Sequence, residues 1–200
     1  MTMFIAADSP DLDSPSGNQE DNLARTLNNH LMTRASNGTR HDWDNPRYVG
    51  GAPEHALRMI RAYVRCRARH APGVWGVKDP RMCFTLEPWV AATKDLPVRW
   101  ILIRRERRQS TVASLTAMLP AKLRLAGEPD GLQRLASTWA ESYQIALELG
   151  LERTGLRPYS LTYEELLSPE GQRRLAEHFA FAAPLTSVVS RLNRRGRASQ

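Results

Sequence analysis

The sequence predicts an α/β domain, a parallel sheet covered by helices, and three observations carry that expectation. Short apolar runs bounded by turn residues read as strands: "GVWGVKDP", "VRWILI" and "RPYSLTYEELL". Between them lie segments whose apolar residues recur three and four positions apart, the mark of amphipathic helices. The connections are too long for hairpins, so the strands are expected to run parallel through crossovers. With no internal repeat and no low-complexity tract, the 200 residues read as one domain over 1–200.

Residues 1–17, rich in Asp, Ser and Pro, read as extended chain or loop. A helix starts near Gln19, with Leu23, Leu27 and Leu31 spaced by four and Met32 beside them. "SNGTRHDWDNPRYVGGAP" is a loop, and a helix from about Pro53 to Arg69 puts Leu57, Ile60 and Val64 on one face. Arg58, Arg61, Arg65 and Arg69 share another face of that helix. The first strand follows in "GVWGVKDP", then a helix over Phe84–Thr93, a turn at "KDLP", and the strand from Val98. A helix through Leu119, a linker at "AGEPDG" and a long helix from about Gly131 to Leu149 come next. In the last, Leu132, Leu135, Trp139, Tyr143 and Ala146 form a stripe read as core. The third strand leads to a helix in "SPEGQRRLAEHFAF", with Ser168 as N-cap and Pro169 at its first position. Residues 191–200 read as a frayed basic tail.

Composition is that of an ordinary globular protein, 42% apolar and 24% charged. No apolar run approaches the roughly 20 residues of a membrane helix. The first residues offer just "MFIAA" as an apolar segment, followed by acidic charges, which is not a targeting pattern. Cys66 and Cys83 lack the number and spacing of a disulfide framework or zinc site, and read as reduced, partly buried thiols. A cytoplasmic protein is therefore expected. The net charge of +7 points to an anionic partner without choosing among nucleotide, nucleic acid and membrane.

In a parallel sheet, ligands gather beyond the carboxyl ends of the strands. Those ends carry Lys78-Asp79-Pro80-Arg81, Arg104-Arg105, and Tyr163-Glu164-Glu165. Two of the three present cations where a following helix N-terminus adds its dipole, an arrangement suited to phosphate or sulfate. Arginine suits it best, because its fork binds oxyanions through two N–H groups. Ser110 and Ser114 lie on the helix leaving the second strand, where a hydroxyl and Arg105 can clamp one phosphate; packing serines and solvated arginines are the plainer alternative. Pro80 keeps Asp79 extended, so that Lys78 can reach a developing charge while Asp79 pairs with Arg81 or holds a turn. The plainer reading of that pair is a surface salt bridge of little worth.

Taken in order, "WGVKDPRMCFTLEPWV", "WILIRRERRQSTVASL" and "LTYEELLSPEGQRRLAEHF" resemble the bacterial sulfotransferase family. "GNQED", "LNNHLM" and "WDNP" extend the resemblance over nearly the whole chain, from about Asp11 to Arg195. The resemblance implies a P-loop NTPase-like fold using 3′-phosphoadenosine 5′-phosphosulfate (PAPS) as co-substrate, without a metal. It implies that Arg105 and Ser114 hold the nucleotide's 3′-phosphate. It further implies Lys78 beside the transferred sulfuryl group, Tyr163 near the nucleotide, and Glu20 as the base. Two features depart from the family. Nine positions separate Arg105 from Ser114, one more than is usual there, so either the helix entry bulges or Arg104 and Ser110 share the work. The strand and loop expected to hold the 5′-phosphosulfate have no counterpart upstream of Asp11, and no G-x-x-x-x-G-K-[ST] occurs. "SNGTR" resembles that loop superficially but lacks a strand before it. The chain therefore reads as an N-terminally truncated sulfotransferase domain.

Sulfuryl transfer needs in-line attack by an acceptor oxygen, fixed cations around the transferred group, and a base. The acceptor is a hydroxyl or amine; sugar, lipid, phenol and peptide acceptors all stay open. None of the five histidines sits in a pattern that makes it the base. Without the 5′-loop, activity of the chain as it stands is an open question. The competing class is a non-catalytic anion- or nucleic-acid-binding module built on the arginine stripe and the basic tail. Few aromatics interleave those basic runs, which argues against nucleic acid.

Overall fold

The computed structural model describes residues 21–35, 48–70, 75–106, 108–123 and 129–179. Its helices are α1 (Asn22–Ala35), α2 (Glu54–His70), α3 (Leu86–Thr93), α4 (Arg108–Leu123), α5 (Pro129–Thr154), α6 (Tyr163–Leu167) and α7 (Pro169–Phe179). Two strands, β1 (Ile101–Arg104) and β2 (Tyr159–Thr162), pair in parallel, with Ile101 opposite Tyr159 and Arg104 opposite Thr162. The described residues are thus mostly helical around a small parallel sheet, an arrangement compatible with the α/β class.

The side chains of β1 alternate as a pleated strand requires. Ile101 and Ile103 pack with Leu161, Leu166 of α6 and Leu175 of α7. Leu102 points the other way, into a cluster with Phe84, Leu86 of α3, and Ala146 and Leu147 of α5. Both faces of the strand are covered, which is why it reads as an unbroken apolar run rather than an alternating one. A third cluster joins Ala24, Leu27 and Leu31 of α1 to Ala56, Ile60, Tyr63 and Val64 of α2. On α5, Trp139 and Ala136 meet Val112 and Leu115 of α4, so part of the predicted stripe is core.

Local signals explain the ends of several elements. Asp21 caps α1, its Oδ1 accepting from the backbone N–H groups of Leu23 (2.8 Å) and Ala24 (3.1 Å). Gly155, at φ 64°, ends α5 in the left-handed conformation that glycine adopts without penalty. Ser168 caps α7 by accepting from Gly171 N–H at 3.0 Å, as expected. Gly171 is forced for another reason: a Cβ there would come within 1.9 Å of the Glu165 carbonyl oxygen.

Four expectations need correction. Residues 75–79, expected as a strand, join no sheet among the described residues. A strand needs a neighbour's backbone, and here the chain turns at once into a 3₁₀ helix over Pro80–Cys83. The strand from Val98 is shorter than its apolar run, because its partner offers four residues. Leu23 is exposed and Ala24 buried: at 3.6 residues per turn, a row spaced by four drifts off the packed face. Cys66 is exposed rather than partly buried, on the side of α2 away from Ile60 and Val64. Among the described residues no helix is long and apolar enough to cross a membrane. Residues 1–17 and 191–200, Glu20 and the "SNGTR" segment lie outside the described residues.

Candidate anion site at the strand ends

The parallel register carries the chain ends of β1 and β2 to the same edge, with Arg104 beside Thr162. One residue further on, the guanidinium carbon of Arg105 stands 4.8 Å from the centre of the Tyr163 ring. A cation over a tyrosine face at that distance is drawn to the ring's negative quadrupole. The next pair meets through the backbone: Glu106 N–H donates to Oε2 of Glu164 at 3.3 Å. Successive residues of "RRE" thus face successive residues of "TYE" across the edge.

Thr162-Tyr163-Glu164-Glu165 keeps this register because it is a capping box. Thr162 Oγ1 accepts from Glu165 N–H at 3.0 Å, and Glu165 Oε2 accepts from Thr162 N–H at 2.8 Å. Glu165 also pairs with Arg174 of α7 at 3.1 Å. The Thr162 N–H bond, helped by Arg174, holds its carboxyl below the usual carboxylate range. With Glu165 so engaged, Tyr163 and Glu164 are left to face β1. Tyr163 therefore opens α6 rather than ending β2, a correction of one residue that leaves it beside Arg105.

Ser110 and Ser114 ride on α4, the former half-buried and the latter exposed. Among the described residues no hydrogen bond ties either serine to Arg105 or Tyr163. Arg104 is exposed at the strand end. Arg108 opens α4 and lies 3.5 Å from Glu141 of α5, both well exposed, a pair of small energetic worth.

Lys78 lies in the segment just ahead of the 3₁₀ helix. It is half-buried between Val77 and Asp79, which are both buried. Asp79 Oδ1 accepts from Arg81 N–H at 3.0 Å and from the Arg81 guanidinium at 2.7 Å. Its Oδ2 accepts from Asn28 Nδ2 at 2.8 Å. Asn28 Oδ1 in turn takes Thr85 Oγ1 and Trp89 Nε1, each at 2.8 Å. Asp79 thus both pairs with Arg81 and holds the turn, and the pair is buried rather than at the surface, with side chains 0% and 6% exposed. The turn that follows Lys78 is set by this network. Asn28 was not singled out from the sequence, although an amide among Ala24, Leu27, Leu31 and Met32 is a legible signal. Glu164 was missed as a partner of β1 because nothing in a sequence gives strand register.

The described histidines lie where surface roles were expected or in local contacts. His30 and His70 are exposed, with His70 Nδ1 2.7 Å from Cys66 O, and His178 stacks on Tyr159 at 4.0 Å between ring centres. Compared with known proteins, the chain matches no family model, no curated protein and no solved structure.

Proposed function

We propose that this chain is a sulfotransferase-type domain whose strand-end edge binds the 3′-phosphate of PAPS. The observation that carries the reading is the placing of the Arg105 guanidinium over the Tyr163 ring, at the carboxyl ends of two parallel strands. That contact holds a half-buried guanidinium at the position where parallel sheets bind ligands. In this reading Arg104 adds positive potential, and Ser110 and Ser114 supply hydroxyls from α4. Lys78 stands by the transferred sulfuryl group, held by the Asp79 turn behind it, and Glu20 is the base for a hydroxyl or amine acceptor. When bound, PAPS supplies the sulfuryl group; the chain's own part is to hold the nucleotide and offset its charge.

Calorimetric titration with adenosine 3′,5′-bisphosphate, beside an Arg105→Ala variant, tests this. Micromolar binding by the parent chain is expected, weakened roughly ten- to a hundredfold in the variant, the worth of charge-assisted hydrogen bonds. A folded chain that ignores the nucleotide overturns the reading. Binding to RNA or DNA that falls steeply with salt would favour the nucleic-acid module instead.

A further inference from the structure

Helix α2 carries a ridge of arginines on its outer side. At about 100° and 1.5 Å per residue, Arg58, Arg61, Arg65 and Arg69 fall within an arc of about 80° along about 16 Å of helix. Arg61 is half-buried and the other three are exposed. The buried residues Ala56, Ile60, Tyr63 and Val64 occupy the opposite side, in the cluster shared with α1. Glu54 is the one carboxylate of the helix, and among the described residues no carboxylate pairs with any of the four arginines. Arg61, Arg65 and Arg69 stand four apart, so like charges are neighbours, a repulsion that an anion lying along the ridge relieves.

The chain brings such an anion to this helix. Residues 1–20 hold Asp8, Asp11, Asp13 and Glu20 and no Lys or Arg. Where they end, Asp21 is fastened to α2: its Oδ2 accepts from Tyr63 O–H at 2.9 Å and pairs with the Arg67 guanidinium. Tyr63 and Arg67 lie on the side of α2 away from the ridge. Passing half round a helix about 10–12 Å across takes about 17 Å, or five to six extended residues at about 3.3 Å each. Eight positions separate Asp13 from Asp21, enough for that path. Pro10 and Pro15 bias Ser9 and Ser14 toward extended backbone. Drawn out, the stretch from Asp8 to Asp13 spans about 16 Å, the length of the ridge.

We infer that the arginine ridge of α2 is the docking surface for the acidic segment around Asp8, Asp11 and Asp13 of the same chain. The ridge is then neutralised from within, and a polyanion such as a nucleic-acid backbone reaches it by displacing the segment. The inference stands apart from the strand-end site, which involves none of these residues.

Cys66 gives the test a native handle, being exposed on α2 while Cys83 is buried. A nitroxide is attached to Cys66 of the full chain, and NMR reads the paramagnetic broadening of the Asp8, Asp11 and Asp13 amides. The parent is compared with the triple variant Asp8→Asn, Asp11→Asn, Asp13→Asn and with the triple variant Arg58→Gln, Arg65→Gln, Arg69→Gln. Strong broadening is expected in the parent, severalfold weaker in both variants and in the parent at about 1 M salt, where the Debye length is about 3 Å. A duplex oligonucleotide is expected to bind the aspartate variant more tightly than the parent. Broadening that is equal in parent and variants comes from the tether at Asp21 alone and overturns the inference. A duplex that binds the parent and the aspartate variant equally assigns the ridge to an external partner, and overturns it too.

Discussion

Asn28 of α1 donates a 2.8 Å hydrogen bond to Asp79, a residue 51 positions away, and both side chains are buried. The bond joins a helix to the turn behind Lys78, and Asp79 simultaneously holds the Arg81 guanidinium. Removing one member of a buried ion pair strips the other of its counter-charge, which costs about 3–5 kcal/mol. Asp79→Ala is therefore expected to lower unfolding free energy by that amount in urea denaturation. A loss below about 1 kcal/mol would place the pair among weak surface bridges after all.

Glu87 gives stability a pH dependence of known sign. Burial alone would raise its carboxyl, but Tyr48 O–H at 2.6 Å, Gly51 N–H at 2.7 Å and Arg153 at 3.4 Å outweigh that and hold it below the usual range. A carboxyl depressed in the folded state stabilises fully above its unfolded value, about 4.3, and loses that contribution as pH falls through the folded value. The stability gap between the parent chain and Glu87→Gln should be full near pH 7 and shrink steadily below about pH 4. Urea melts across this range read it directly; a gap that widens in acid would contradict the assignment.

The two cysteines should separate cleanly by reactivity. Burial pushes the Cys83 thiol up to about 12, whereas Cys66 is exposed on α2. Iodoacetamide at neutral pH should add one adduct to the folded chain, at Cys66, and a second in denaturant, as counted by mass spectrometry. Early modification of Cys83 would mean that the cluster around Phe84 and Leu102 opens easily.

How legible these features were depends on how local their causes are. The α2 face of Ile60 and Val64, the Ser168 cap and much of the α5 stripe follow from spacing within a turn or two, and the sequence showed them. The extent of β1 and the fate of "GVWGVKDP" depend on which backbone lies alongside, and no periodicity encodes a neighbour. The candidate site divides in the same way. Arg105 and Tyr163 were legible as strand-end residues, but the contact between them, and the pairing of Glu106 with Glu164, arise from a register set across distant segments. The buried character of Asp79 was hidden because its partner Asn28 arrives from another helix.

The β1–β2 ladder joins residues far apart in the chain: Glu106 and Glu164, just beyond it, are 58 positions apart. Contacts of such long range form slowly, since loop closure is paid in chain entropy before any bond rewards it. Packing of α4 on α5 uses nearer neighbours and folds the intervening chain back on itself, bringing the two strands within reach. Topology therefore predicts that the ladder forms late in folding, and the edge carrying Arg105 and Glu164 with it. A ligand bridging that edge would slow unfolding more than it speeds folding, because it grips contacts that the transition state lacks.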